Sequence, residues 1–288
     1  GCIVTKKVGI IGYPLDHSLS PIFQQAAFDD LNIDLSYEAW PLQLEEIPNF
    51  MQNLRVKPIL GLNVTIPYKE IVIKYLDDIH VDALSIGAVN TIVNSAGTLV
   101  GYNTDIIGFS RSLDDFIDID TIGKTALILG AGGVARAALK TLILKGFGEI
   151  VIANRTEERA KKMAIEFSQN NVKINTIDIK DHDLASISKK SSLIVNCTSV
   201  GMRGSDQSFA YLEYSDIPKD SFVYDMIYNP SYTPLMQLAD LAGAKFSNGL
   251  SMLINQGVES FKLWTGQEPD FDIMFESAQN QMIKNQNQ

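Results

Sequence analysis

Hydrophobic and polar positions along this chain alternate in blocks. Short apolar runs with strand character are followed by longer stretches whose apolar residues recur at helical spacing, and the order repeats through the sequence. That alternation predicts an α/β protein. In the first half it places strands at Val8–Ile11, Leu35–Trp40 and Leu62–Ile66, and helices over Pro21–Leu31, near Glu45–Leu54 and over Lys69–Leu76. Val89–Val93 and Thr98–Tyr102 flank Asn94-Ser95-Ala96-Gly97, a hairpin signal, because Asn and Gly accept the left-handed backbone of a tight turn. A helix beginning near Thr104 runs to about Phe116, and the Asp-rich stretch Asp114–Asp120 marks a boundary. Beyond it, strands are expected at Ile150–Ala153, Val172–Ile174, Leu193–Asn196, Phe222–Tyr224 and Lys245–Ser247, with helices to about Phe167 and over Pro234–Leu241, Met252–Trp264 and Phe271–Lys284. The organisation expected is two domains, residues 1–116 and 117–270, with the last helix (about 271–288) in a position to fold back on the first.

One segment narrows the chemistry. Thr125–Thr156 reads TALILGAGGVARAALKTLILKGFGEIVIANRT. An apolar strand ends at Gly130, and Gly130-Ala131-Gly132-Gly133-Val134-Ala135 forms G-x-G-x-x-A before an Ala/Leu-rich helix and a second strand. This is the order of a dinucleotide-binding (Rossmann) unit. Its glycines let backbone N–H groups approach a pyrophosphate at a helix N-terminus, where the dipole favours anions. The second strand ends in Asn154-Arg155-Thr156, with Arg159 one helical turn on. An NAD site usually carries a carboxylate there to bind the ribose hydroxyls. An amide, a hydroxyl and two guanidiniums suit a 2′-phosphate instead, so the cofactor expected is NADP(H). The ordinary alternative is that the trio caps the next helix and leaves its arginines in water.

Composition removes whole classes. With 288 residues and 45% hydrophobic content there is material for a large core. No run approaches the length of a membrane span and no signal-peptide pattern is seen, so a cytoplasmic protein is expected. The net charge of −10 argues against nucleic acid or an anionic membrane as partner, and leaves anionic small molecules to local donors. Two cysteines, Cys2 and Cys197, make neither a metal cluster nor a disulfide framework; no metal is expected, and Cys197 reads as a buried thiol.

Four polar clusters in the first half lie at strand ends or turns. In Gly12–Pro21, Ser18 and Ser20 can aim two hydroxyls at one group such as a carboxylate, while Ser20-Pro21 also reads as a helix cap. In Asn63–Lys69, Asn63 and Thr65 alternate with Val64 and Ile66 and so share a strand face. Lys69 would open a helix, where the macrodipole disfavours a cation; a surface lysine tolerates that, and an acid/base lysine exploits it. Asn90 stands in Gly87–Thr91, and Asp105 closes Gly101–Asp105 at a helix start, where a carboxylate is favourable in any case. The second half adds Cys197–Met202, Asp225–Pro230, Thr233-Pro234 and Asn248–Leu250, with Met252 and Gln256 sharing a helix face.

GYPLDHSLSP, NVTIPYK, GAVNT, GYNTD, GAGGVARA, NRTEER, CTSVGM, DMIYNPSYTP and NGLSMLINQ, in that order, closely resemble the motifs of the shikimate dehydrogenases over nearly the whole chain. The resemblance implies two α/β domains, a substrate domain and a C-terminal Rossmann NADP-binding domain, with an interdomain cleft. It implies reversible NADPH-dependent reduction of 3-dehydroshikimate to shikimate in aromatic amino-acid (chorismate) biosynthesis. By the same resemblance Lys69 and Asp105 are the catalytic pair, and Ser18 and Ser20 hold the substrate carboxylate. Asn63, Thr65, Asn90 and Asp105 contact substrate, and Tyr228 and Gln256 do so from the other domain. Gly130, Ala131, Gly132, Gly133, Val134, Asn154, Arg155, Thr156 and Arg159 match the NADP site, and Thr198, Met226, Gly249 and Met252 its nicotinamide side. The family's members are monomers or homodimers. One departure stands out: the family often has His-Asn where this chain has Gln24-Gln25, which implies altered packing rather than lost chemistry. The competing readings are a quinate/shikimate dehydrogenase using NAD, which the acid-free trio opposes, and a non-catalytic shikimate-type sensor, which the presence of both Lys69 and Asp105 opposes.

Overall fold

The structure, a computed structural model, describes residues 5–116, 120–168, 171–204 and 208–288; Cys2 lies outside them. The chain forms two compact units, residues 1–108 with 253–288, and residues 109–252. The divisions fall inside two unbroken helices, not at the Asp-rich stretch or after residue 270. A helix can change units without a loop, whereas the expected boundary at 116 rested on the Asp-rich stretch and that at 270 on the start of the last helix.

The first unit begins with β1 (Lys7–Gly12), α1 (Ser20–Asp30), β2 (Ser36–Pro41), α2 (Ile47–Leu54) and β3 (Ile59–Val64). It continues through β4 (Asp78–Ile79), α3 (Val81–Ile86), β5 (Thr91–Ser95) and β6 (Thr98–Tyr102) into α4 (Asp105–Phe116). The sheet order is β2-β1-β3-β5-β6-β4, parallel from β2 to β3 and antiparallel through the β5–β6 hairpin. Ala96 (φ 50°) and Gly97 (φ 92°) turn that hairpin, and Asn94 Oδ1 accepts the Gly97 N–H at 2.9 Å. The core on one sheet face joins Ile11, Leu62, Val64 and Ile92 to Ile47, Met51 and Leu54 of α2.

Three expectations shift here. β3 begins earlier than expected and ends at Val64, so Thr65 lies beyond the strand and Ile66 is exposed. No α-helix covers 69–76. A five-residue 3-10 helix, Ile71–Tyr75, stands there instead, as befits a β-branched run. The helix-dipole argument about Lys69 therefore falls away. β4 and α3 went unread because both are too short to show a period.

The second unit contains β7 (Thr125–Leu129), α5 (Gly133–Leu144), β8 (Glu149–Asn154), α6 (Glu157–Glu166), β9 (Lys173–Asp178), α7 (Leu184–Lys189) and β10 (Leu193–Asn196). It ends with β11 (Phe222–Asp225), α8 (Pro234–Ala242), β12 (Lys245–Ser247) and the start of α9 (Leu250–Thr265). All six strands are parallel, in the order β12-β11-β10-β7-β8-β9. The strand order reverses between β7 and β10, the switch point at which open α/β sheets bind ligands. Ala135, Ala137 and Ala138 are fully buried, and these small side chains let α5 lie close to the sheet.

From Leu253 onward α9 belongs to the first unit, followed by α10 (Phe271–Gln286), which packs along α1. The return to the first unit thus starts at 253 rather than about 271. Gln256 consequently belongs to the first unit, not to the other domain.

Candidate functional site

In the first unit the Lys69 Nζ lies 2.6 Å from Asp105 Oδ2, with the lysine side chain 13% and the carboxylate 6% exposed. A charge pair this poorly hydrated is weak evidence for stability, since desolvation offsets much of its attraction. What distinguishes it is its support. Asn90 Nδ2 donates to Asp105 Oδ1 at 3.1 Å, to Thr104 Oγ1 at 2.7 Å and to Gln256 Oε1 at 3.2 Å. Asn90 Oδ1 accepts from the Thr104 N–H at 2.7 Å. Asn103 Oδ1 accepts the N–H groups of Asp105 and Ile106, while its Nδ2 donates to the Ala88 carbonyl at 3.1 Å. Asn103 thus caps α4 and ties its start to the segment before Asn90. The Lys69 carbonyl accepts the Val89 N–H at 2.8 Å, so the backbone of the lysine is held to the same segment.

Around this pair the other expected residues divide. Ser20 is buried in the first turn of α1. The cap position is Leu19 and no side chain caps the helix, so the capping role suggested by Ser20-Pro21 is not realised. The Ser20 hydroxyl instead reaches the oxygen of Tyr37, whose burial raises its pKa far above the ordinary phenol value. Ser18 and Thr65 are half-buried. Asn63 is hydrogen-bonded on both ends of its amide. Its Oδ1 accepts from Tyr37 Oη at 2.7 Å, and its Nδ2 donates to the Asn90 carbonyl, Thr91 Oγ1 and Ser260 Oγ. Ser260, fully buried on α9, also lies 2.8 Å from Thr91 Oγ1 and 3.2 Å from Thr104 Oγ1. Asn103 and Thr104 stood in the Gly101–Asp105 cluster without an assigned role, and Tyr37 and Ser260 were not singled out from sequence. Ser260 had a signal, being one turn from Gln256 on the same helix face, and Asn103 had its Asx cap position; Tyr37 had none.

The Gln24-Gln25 departure is accommodated within this unit. Gln25 Nε2 donates to the Leu35 carbonyl and its Oε1 accepts the Tyr37 N–H at 2.9 Å, joining α1 to β2. Gln24 is fully buried and donates to the Gly257 carbonyl at 2.9 Å, with its Oε1 left without a hydrogen-bond partner.

In the second unit the glycine turn lies at the sheet's switch point. Gly130 has φ 108°, and a Cβ there would stand 3.0 Å from the Cys197 carbonyl oxygen. Only glycine relaxes in that conformation. Gly132 is the N-cap of α5 and no side chain caps the helix. A Cβ on Gly132 would meet nothing within 4 Å, so its absence leaves room beside Gly133 and Val134 for a group approaching the helix end. The arrangement fits a pyrophosphate. At the end of β8, Asn154 Nδ2 donates to the Thr156 carbonyl at 2.9 Å and Arg155 is exposed. Thr156 is the N-cap of α6, yet its side chain makes no cap bond. The hydroxyl and the guanidinium are therefore not accounted for by helix capping. Arg159 Nε donates to the Ala131 carbonyl at 2.9 Å, which ties α6 to the glycine turn. This set suits a 2′-phosphorylated dinucleotide.

Thr198, Met226 and Gly249 lie in the segments after β10, β11 and β12. A Cβ on Gly249 would overlap the Met226 backbone, so that close approach requires glycine. Met252 is buried, and its backbone N–H bonds the Tyr224 hydroxyl, which also pairs with Ser112 at 2.8 Å. Tyr228 is half-buried, with desolvation pushing its hydroxyl up to about 12. Cys197 is half-buried rather than buried, since it opens the segment after β10 instead of ending the strand.

Residues 10–92 match the family described as the shikimate dehydrogenase substrate-binding domain, residues 115–203 the shikimate/quinate 5-dehydrogenase family, and residues 249–279 the shikimate 5′-dehydrogenase C-terminal domain. The chain is 40% identical over 270 residues to the shikimate dehydrogenase (NADP(+)) of Carboxydothermus hydrogenoformans, covering 94% of this chain and 95% of that protein. It is similar to a crystal structure of shikimate dehydrogenase in complex with NADP+ (TM-score 0.87, 37% identity, 96% of each chain). It is also similar to the Thermus thermophilus shikimate 5-dehydrogenase in complex with NADP(H) and shikimate (TM-score 0.84, 35% identity, 96% of this chain and 99% of that one). Among the described residues no helix is long and apolar enough to cross a membrane.

Proposed function

We propose that this chain, which belongs to the shikimate dehydrogenase family, reduces 3-dehydroshikimate to shikimate with NADPH, reversibly. The observation that carries the reading is the Lys69–Asp105 pair, 2.6 Å apart and braced by Asn90 and the Asn103 cap. When bound, the reduced nicotinamide supplies the hydride. The chain's task is to hold a small polar anion and manage one proton. Reduction of the ketone develops negative charge on its oxygen, and the Lys69 ammonium stabilises that charge and donates the proton. In the reverse direction the neutral amine accepts it. Asp105 holds the ammonium in place. Ser18 and Ser20 take the substrate carboxylate, and Thr65, Asn90, Tyr228 and Gln256 read its hydroxyls. Asn63, joined through its amide to Tyr37, Thr91 and Ser260, contacts the substrate alongside them. Gly130 to Val134 take the pyrophosphate of NADP, while Asn154, Arg155, Thr156 and Arg159 take its 2′-phosphate. Thr198, Met226, Gly249 and Met252 border the nicotinamide.

The test is an initial-rate assay of nicotinamide absorbance with shikimate and quinate, each against NADP and NAD. Shikimate with NADP is expected to dominate; comparable rates with quinate and NAD would overturn the assignment. Arg155→Ala is expected to raise the Michaelis constant for NADP by about tenfold or more, the equivalent of one lost phosphate contact, and to leave that for NAD unchanged. An unaltered NADP/NAD preference would remove Arg155 from the phosphate site.

A further inference from the structure

The second unit holds a fully buried carboxylate that the proposed chemistry does not use. Asp225, the last residue of β11, accepts three hydrogen bonds. Asn196 Nδ2 and the Ile227 N–H both donate to its Oδ1 at 3.0 Å, and Thr233 Oγ1 donates to its Oδ2 at 2.7 Å. Asn196, the last residue of β10 and also fully buried, carries the connection onward. Its Oδ1 accepts from the Thr198 N–H at 3.0 Å and from Thr198 Oγ1 at 2.6 Å, and its carbonyl accepts the Met226 N–H at 3.0 Å. One carboxylate thus ties both ends of the 226–233 loop together and, through Asn196, fixes the backbone and side chain of Thr198. Gly249 completes the assembly, its N–H donating to the Ile227 carbonyl at 3.2 Å.

A buried carboxylate costs several kcal/mol in desolvation unless its lone pairs are well matched. An apolar residue would fill the position more cheaply, but it could not accept from donors on two different loops. Burial does raise this carboxyl, to about 6, against the lowering effect of its three donors.

We propose that Asp225 is a positioning residue for the nicotinamide end of the cofactor site, holding the loops that carry Thr198 and Met226 in register. The inference rests on reading those two residues as the nicotinamide border. Asp225 is enclosed, so it acts through its partners and not by touching the cofactor.

The experiment compares the full-length enzyme with Asp225→Asn, Thr233→Val and Thr233→Ser at pH 7.5. It measures kcat, the Kd of NADP+, and the Kd of 2′-phospho-ADP-ribose, which lacks nicotinamide. Asp225→Asn is expected to lower kcat at least about tenfold, the size of a lost charge-assisted hydrogen bond, and to weaken NADP+ while 2′-phospho-ADP-ribose stays within about twofold of wild type. Thr233→Val, which removes one donor with little change of shape, is expected to show the same pattern to a smaller degree, and Thr233→Ser to restore it. Unchanged kcat and NADP+ affinity in Asp225→Asn would overturn the proposal. So would an equal loss of both ligands accompanied by a lowered Tm, which is the signature of a residue that only supports the fold. Thr198→Ala and Met226→Ala variants with wild-type kcat and NADP+ affinity, in an enzyme that turns over shikimate, would overturn it through its premise and leave the proposed activity standing.

Discussion

Lys69 and Asp105 are ordinary residue types whose meaning comes from what surrounds them. The pair is nearly enclosed and each member is fixed from a different direction, Asp105 by Asn90 and Lys69 through its backbone to Val89. Removing the ammonium while leaving the substrate contacts should affect the transition state more than the ground state. Lys69→Ala is therefore expected to lower kcat by about 10²–10⁴-fold with little change in the Michaelis constant for shikimate. Matched losses in both parameters would indicate a role in binding. Asn103 is a different case. It contacts no reacting group in the proposed chemistry, but it caps α4 where Asp105 begins the helix. Asn103→Ala should cost about 1 kcal/mol of stability and lower kcat through a displaced carboxylate. Asn103→Ser, which retains a capping oxygen, should recover most of the stability in a denaturant titration. If the alanine variant keeps wild-type kcat, the cap does not set the position of Asp105.

At the scale of elements, the turn from β7 into α5 shows two glycines needed for different reasons. Gly130 is constrained by its own backbone, with φ 108° and the Cys197 carbonyl close by. Gly132 has an ordinary φ of −89° and open space where a Cβ would go. Gly130→Ala is thus expected to destabilise the fold by more than about 1 kcal/mol and to lower Tm. Gly132→Ala should fold with an unchanged Tm and yet raise the Michaelis constant for NADP about tenfold or more, a penalty of about 1.4 kcal/mol, because its methyl group occupies the approach to the helix N-terminus. Thermal melts alongside cofactor titrations separate the two; equal behaviour of the variants would show that the space beside Gly132 is not the pyrophosphate site. The 69–76 segment carries the opposite lesson. Its apolar residues suggested a helix, but a β-branched run confined to a few residues forms a 3-10 turn, and Lys69 lies just before that turn with its carbonyl held by the Val89 N–H.

At the scale of the whole molecule, Asp225 should leave a mark on pH-dependent stability. Its carboxyl titrates near 3.8 when unfolded and near 6 when folded, so between those values unfolding releases a proton. Its contribution is full below about pH 4, declines as pH rises, and is lost above about pH 6, at a limiting slope of about 1.4 kcal/mol per pH unit. Wild type and Asp225→Asn should therefore show unfolding free energies whose difference changes in that window and is flat outside it; parallel curves throughout would mean the carboxyl is not shifted. Much of the wider organisation was legible in the residues. Glycine spacing and the acid-free trio Asn154-Arg155-Thr156 pointed to the nucleotide unit, because backbone geometry and charge are local properties. The ordered motifs pointed to the family, and apolar periodicity located most strands and helices. What tertiary structure decided was everything that depends on distance across the chain. It assigned Gln256 to the first unit, since a continuous helix passes between units without any sequence signal. It bound Asn63 to Tyr37 and Ser260, and joined Thr198 to Thr233 through Asn196 and Asp225. Those residues are far apart in sequence, and only folding shows which donors a buried amide or carboxylate will meet.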